Sequence, residues 1–251
     1  MHARNIFIGA TFQLKKGKKG KKGYQALNIY QEIKRRIITL DLKPGQILEE
    51  KRLAEELKVG RTPVREALLL LKNGDWIVSL PNKSAYVKQV SLKDVKDLFE
   101  SLALVERQTA CLAAQRMTPE LLNEVRKAHQ ETLSAVLKRD IWEIESCNQR
   151  FHQLIAEGSD NRYLISIHRD LRNKAERLAY LSIGSDFENS TTLDEHLSKL
   201  CSHHQQIVLC LEKKDVERMG RLSIEHIILF QNRIISYLTH SAAEATREAL
   251  L

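Results

Sequence analysis

What the chain has little of narrows it first. Its four cysteines, Cys111, Cys147, Cys201 and Cys210, are scattered over 251 residues without the paired spacing of a metal knuckle. Each falls in a segment that reads as helix, which predicts small buried residues of a reducing compartment and excludes a disulfide framework. No apolar run approaches the roughly 18 residues a membrane span needs. The apolar patch from Ile6 to Phe12 is shorter still, and lysines follow it, unlike a signal peptide. The expectation is a cytoplasmic protein with no membrane partner.

Acidic residues are scarce at one end only. Residues 1–90 carry 19 Lys and Arg against 8 Asp and Glu, a net of +11, while the remaining 161 carry 21 against 24, a net of −3. Six lysines between Lys15 and Lys22 supply part of this, yet without them the head stays at +5. A basic head on a slightly acidic body points to a polyanion-binding module joined to a second function. Glycine and like charge predict residues 1–23 to be a basic disordered tail.

Within the head, a helix is expected from about Ala26 to Leu40, with Leu27, Tyr30, Ile33, Ile37 and Leu40 inward, ended by the turn Leu42-Lys43-Pro44-Gly45. Leu53, Ala54 and Leu57, then Val64, Ala67, Leu68 and Leu71, give two further apolar faces at helical period. Gly60 is expected to allow the sharp turn between them, and Pro63 sits near a helix start, where its missing N–H costs nothing. Residues 76–80 and 85–90 read as two strands around the turn Pro81-Asn82-Lys83-Ser84. Three helices and a small β-hairpin wing predict a winged helix-turn-helix over residues 24–90. Its second helix would present Arg61, Thr62 and Arg65 to base edges and phosphates in the major groove. Lys51 and Arg52 suit phosphate contacts, and Asn82 and Lys83 at the hairpin tip suit the minor groove or its flanks.

From Ser91 onward every segment reads as helix. Ser91-Leu92-Lys93-Asp94 starts one, Thr118-Pro119 another and Asp140 a third, which stops at Gly158. A fourth runs from about Asn161 to Ile183 and is followed by the polar loop Gly184 to Thr191. Thr192-Leu193-Asp194-Glu195 reads as a capping box, and the last helices end near Glu212 and Leu238. The prediction is a mainly α protein whose residues 91–240 form an all-α antiparallel bundle, followed by a tail over 241–251.

Some polar residues fall where core residues belong. Ile141, Ile144, Asn148, Phe151, His152 and Ile155 share one stripe, as do Leu193, Leu197, Leu200, His204, Ile207 and Leu211, with His203 turned about 100° away. His226 lies in a helix apolar enough to point it inward, and His168 sits on the stripe of Leu164, Leu171, Ala175 and Leu178. Three inward histidines from three helices could ligate Zn²⁺ or a similar divalent ion. Three separately hydrogen-bonded core histidines are the alternative.

Leu42-Lys43-Pro44-Gly45, Leu53-Ala54-Glu55 and the run from Val59 to Leu68 resemble the signature of GntR-type bacterial transcriptional regulators, and Pro81 to Val87 resembles their wing. That family usually has Ser or Thr where this chain has Gly60, which loses a hydroxyl able to cap the recognition helix. The bundle resembles the FCD effector domain of the FadR branch. There an Asp-x-x-Phe-His motif and two later histidines bind a metal beneath a carboxylate-ligand pocket. The resemblance implies Asn148, His152, His204 and His226 as the ligand set for Zn²⁺ or Ni²⁺. It departs at Asn148, which replaces an aspartate, and at Leu102, which replaces an arginine that often meets the effector carboxylate.

The expected function is therefore a non-enzymatic, homodimeric regulator, a repressor that binds double-stranded operator DNA and responds to a small-molecule effector such as an organic acid. A metal-dependent hydrolase built on His152, His204 and His226, and an architectural DNA-binding dimer without sensing, are the competing readings. Residues that contact the effector are not assigned.

Overall fold

A computed structural model describes residues 22–39, 41–80, 84–184 and 190–249, which divide into two compact units, one through Lys88 and one from Gln89. Most of the basic tail, Leu40, the wing tip with Asn82 and Lys83, and residues 185–189 lie outside the described residues.

In the first unit, helix α1 (Lys22–Ile38) buries Ala26, Ile29, Ile33 and Ile37, a face that repeats every three or four residues and packs on helix α3 (Arg61–Asn73). Leu27 lies beside that face and is 51% exposed, contrary to its expected inward position. The helix pair α2 (Glu50–Leu57) and α3 buries Leu53, Ala54 and Leu57 from one member and Val64, Ala67, Leu68 and Leu71 from the other, as their spacing predicts. The wing has three strands rather than two. β2 (Ile77–Ser79) and β3 (Ser84–Val87) pair antiparallel, and β1 (Ile47–Glu49) joins the other edge of β3, with Ile47 opposite Tyr86. A three-residue strand is too short to show an alternating pattern, so β1 is recognisable only from its pairing.

The second unit is a six-helix bundle of α4 (Leu92–Arg116), α5 (Pro119–Lys138), α6 (Ile141–Gly158), α7 (Arg162–Gly184), α8 (Ser190–Lys213) and α9 (Val216–Ala249). Three starts carry the expected caps. Ser91 and Asp94 form a reciprocal capping box, Thr118 accepts from the Leu121 N–H before an N-terminal proline, and Asp140 accepts from Glu143. Helix α8 begins at Ser190, so Thr192 lies inside it instead of capping it. Helix α9 continues to Ala249, well past the expected end near Leu238, and occupies most of the segment expected to be a tail. Of the cysteines only Cys210 is buried; Cys111, Cys147 and Cys201 are half-buried.

Helix α4 packs against α6, α7 and α9. One apolar cluster of the bundle gathers Phe151, Ile207, Leu211 and Met219, and another gathers Phe99, Leu102, Leu200, Ile227 and Phe230. No helix among the described residues is long and apolar enough to cross a membrane.

Candidate DNA-reading face and histidine centre

The turn between α2 and α3 is made by Lys58, whose φ of 54° ends α2 in the left-handed conformation, with the Val59 N–H donating to the Ala54 carbonyl at 3.0 Å. Gly60 has φ −72° and ψ 159°, an extended backbone open to any residue. It is the N-cap of α3 and offers that helix no side-chain acceptor. The expected role of Gly60 in the turn is thereby corrected: the positive φ falls two residues earlier, on a lysine.

Arg61, Thr62 and Arg65 stand exposed along the N-terminal turns of α3, and Lys51 and Arg52 are exposed at the start of α2. Two of these cations are already engaged. Arg65 grips Glu50 through Nε and Nη2, at 3.0 and 2.8 Å, and Arg52 Nε lies 2.8 Å from Glu56 Oε1. Exposed pairs of this kind contribute little to stability, so they orient the cations and yield easily if DNA phosphate displaces them.

In the bundle, His152, His204 and His226 converge from α6, α8 and α9, each at most 1% exposed, with one nitrogen of each within 4.8 Å of the others. His152 Nε2 lies 3.1 Å from His226 Nε2. The His204 ring stacks on Phe151 with centroids 3.9 Å apart, and His226 meets Phe230 edge-on at 5.4 Å, so the centre touches both apolar clusters. His203 is half-buried beside it, its ring 5.7 Å from that of His226. Burial drives all three rings to the neutral form: His152 is pushed down to about 4, and His204 and His226 lie well below the ordinary imidazole value. Neutral imidazole is the metal-binding form. Both nitrogens of His204 and Nδ1 of His226 are buried without a hydrogen-bond partner, and a divalent ion, taking one nitrogen of each ring, would satisfy one of those on His204. The donor set thus fits Zn²⁺ or Ni²⁺.

Asn148 is buried on α6 one turn before His152. Its Nδ2 approaches Glu145 Oε2 at 3.4 Å and its Oδ1 has no partner. Burial raises the Glu145 carboxyl to about 8, although Gln149 donates to it at 2.9 Å.

Sequence reasoning did not anticipate the polar group at the centre of this region. Glu106 of α4 is buried with Arg172 Nη2 2.6 Å from its Oε1 and His168 Nε2 2.8 Å from its Oε2. Burial alone would raise its carboxyl, but the Arg172 guanidinium and the His152 and His168 rings hold it well below the usual carboxylate range. His168 is thereby a tied core histidine. The buried stripe of α4, running Val95, Phe99, Leu102, Glu106 and Thr109, carries the signal that would have found Glu106.

A cavity of about 20 Å³, room for about one water, lies alongside. Phe99, Leu102, Ile227 and Phe230 form its apolar wall, and Glu145, Asn148 and Arg172 its polar end.

Residues 97–229 match the family model of the FCD domain, and residues 25–87 match that of the bacterial regulatory proteins of the gntR family. The chain is 26% identical to the HTH-type transcriptional regulator YdhC of Bacillus subtilis over 87% of its own length and 92% of that protein. It is 24% identical to the HTH-type transcriptional repressor RspR of Escherichia coli, over 79% of this chain and 84% of RspR. Among solved structures, Escherichia coli McbR/YncC superposes with a TM-score of 0.66 at 24% identity, over 86% of this chain and 98% of that one.

Proposed function

Because the chain belongs to the gntR family of bacterial regulatory proteins and carries an FCD domain, it is a DNA-binding transcriptional regulator, and we propose that it is a homodimeric repressor controlled by a small organic acid. The observation that carries the DNA half is the exposed trio Arg61, Thr62 and Arg65 at the start of α3. In this reading Arg61 and Arg65 address guanine edges, Thr62 a phosphate or thymine methyl, and Lys51, Arg52, Asn82 and Lys83 the backbone. Two copies would meet the half-sites of a pseudo-palindrome.

The buried triad His152, His204 and His226 supports a resident Zn²⁺ or Ni²⁺, with the Asn148 oxygen as a neutral fourth donor. Such an ion would supply an anchor for an anionic effector. Arg172 is the cation lining the cavity among the described residues; its guanidinium already grips both oxygens of Glu106, so an effector carboxylate would have to share it and the one-water cavity would have to widen. Effector binding changes repression only by favouring one of two states that differ in operator affinity. The relatives named above are transcriptional regulators, which speaks against the hydrolase reading.

Gel shift with the promoter fragment upstream of the protein's own gene tests the reading. Binding that weakens steeply with salt is expected; absent or salt-insensitive binding would sink it.

A further inference from the structure

Three side chains of the bundle interior meet at one carboxylate, that of Glu106. Arg172 engages both oxygens of Glu106, with Nη2 2.6 Å from Oε1 and Nε 3.2 Å from Oε2. His168 Nε2 reaches Oε2 at 2.8 Å, and His152 Nδ1 stands 2.6 Å from Oε1. The last approach is short but off the hydrogen-bond line, since His152 Nδ1 otherwise counts as unpartnered.

We propose that Glu106 is a positioning residue for the metal of the histidine centre: it accepts the Nδ1 proton of His152 and so leaves the Nε2 of that ring as the ligating nitrogen. This rests on the metal reading given above.

Three arguments converge on it. Arginine can only donate, so a carboxylate gripped by Arg172 on both oxygens is an acceptor. A bare Nδ1 at 2.6 Å from that oxygen would face two lone pairs, so the proton of His152 sits on Nδ1 and its Nε2 is free. The neighbouring nitrogen at 3.1 Å is His226 Nε2, which then donates to it in the metal-free protein and leaves His226 Nδ1 bare, matching the lack of a partner there.

Charge gives a further reason. The three ring donors are neutral, and so is the buried side chain of Asn148 one turn before His152. A dication among neutral nitrogens, close to the guanidinium of Arg172, needs an anion within reach. Glu106 supplies it one imidazole away from the ligand atom. Carboxylates in this outer position orient a ligating histidine and raise its basicity, and their loss typically costs 10–100-fold in metal affinity.

The experiment uses the full chain, with zinc affinity read by competition against a chromophoric chelator and cobalt loading read by visible absorption. Glu106→Gln is expected to weaken zinc binding by about 10–100-fold and to shift the cobalt spectrum, while Glu106→Asp recovers part of both. Unchanged affinity and an unchanged spectrum in a folded Glu106→Gln protein overturn the proposal. If Glu106→Gln fails the helical circular-dichroism check, His168→Gln carries the test. It loosens the grip on Glu106 and leaves His152 in place, so weaker zinc binding supports the role and undiminished binding overturns it. A wild-type protein that takes up neither zinc, nickel nor cobalt overturns the metal reading itself, a result distinct from tight binding that is indifferent to residue 106.

Discussion

Arg65 of α3 is held by Glu50, the first residue of α2, through Nη2 to Oε2 at 2.8 Å and Nε to Oε1 at 3.0 Å. The two residues are 15 apart in sequence, yet the pair fixes where the guanidinium points before DNA arrives. Glu50→Ala should leave thermal stability nearly unchanged, because the pair is exposed on the arginine side. It should tighten binding to non-specific DNA and narrow the gap between operator and random sequence. Arg65→Ala should cost about 1–3 kcal/mol at the operator if the side chain reads a base. Fluorescence anisotropy on both DNAs across a salt series measures each effect.

Gly60→Ser restores a hydroxyl at the N-cap of α3. The nearest atom to a Cβ at that position is Pro63 Cδ at 3.8 Å, an ordinary contact, and the backbone is already extended. The substitution should stabilise the protein by a few tenths of a kcal/mol, the usual difference between serine and glycine caps. Chemical denaturation of the DNA-binding unit's transition checks it.

Stability of metal-stripped protein should peak near the ordinary imidazole pKa of 6.5. His152 is held down at about 4 and His196 at about 3, in each case by burial first, and burial likewise holds His204 and His226 well below the usual value. The unfolded chain therefore takes up protons that the folded one refuses, and stability falls as pH drops from 6.5 toward 4. Glu145 works the other way. Its carboxyl, raised to about 8 by burial, holds a proton that the unfolded chain releases, so its contribution is lost as pH climbs from 4.5 to 8. Melting temperatures between pH 4 and 8 should show the steeper fall on the acid side, and Glu145→Gln should flatten the alkaline one.

Asn148→Asp should tighten zinc or nickel binding by about tenfold, equivalent to about 1.4 kcal/mol, by adding an anionic oxygen to a neutral set. It should also lower the stability of the metal-free protein, because the new carboxylate would lie close to Glu145, now 3.4 Å from the Asn148 amide. Thermal shift with and without metal separates the two effects, which have opposite signs.

Local order was legible in the sequence and long-range pairing was not. The buried faces of α2 and α3, the caps at Ser91, Thr118 and Asp140, and the inward histidines all follow from spacings of three or four residues. Leu27 was misplaced because Ala26 and Ile29 define a face that a large apolar side chain next door obscures. Glycine's tolerance of positive φ points to Gly60 as the turn residue, whereas Lys58 adopts that conformation as the C-cap of α2. Glu106 and its partners were invisible for another reason. His168 and Arg172 lie 62 and 66 residues further along, and no local pattern links an acid on one helix to a cation three helices later.

That separation has a consequence for the order of events in synthesis. The three histidines of the centre come from α6, α8 and α9, and the last of them, His226, follows Glu106 by 120 residues. A growing chain can fold its DNA-reading unit, whose contacts close within the first 88 residues, long before α9 leaves the ribosome. The DNA-reading surface is then complete while the pocket that would govern it does not yet exist. Metal uptake would mark the moment at which a nascent polypeptide becomes a controllable one.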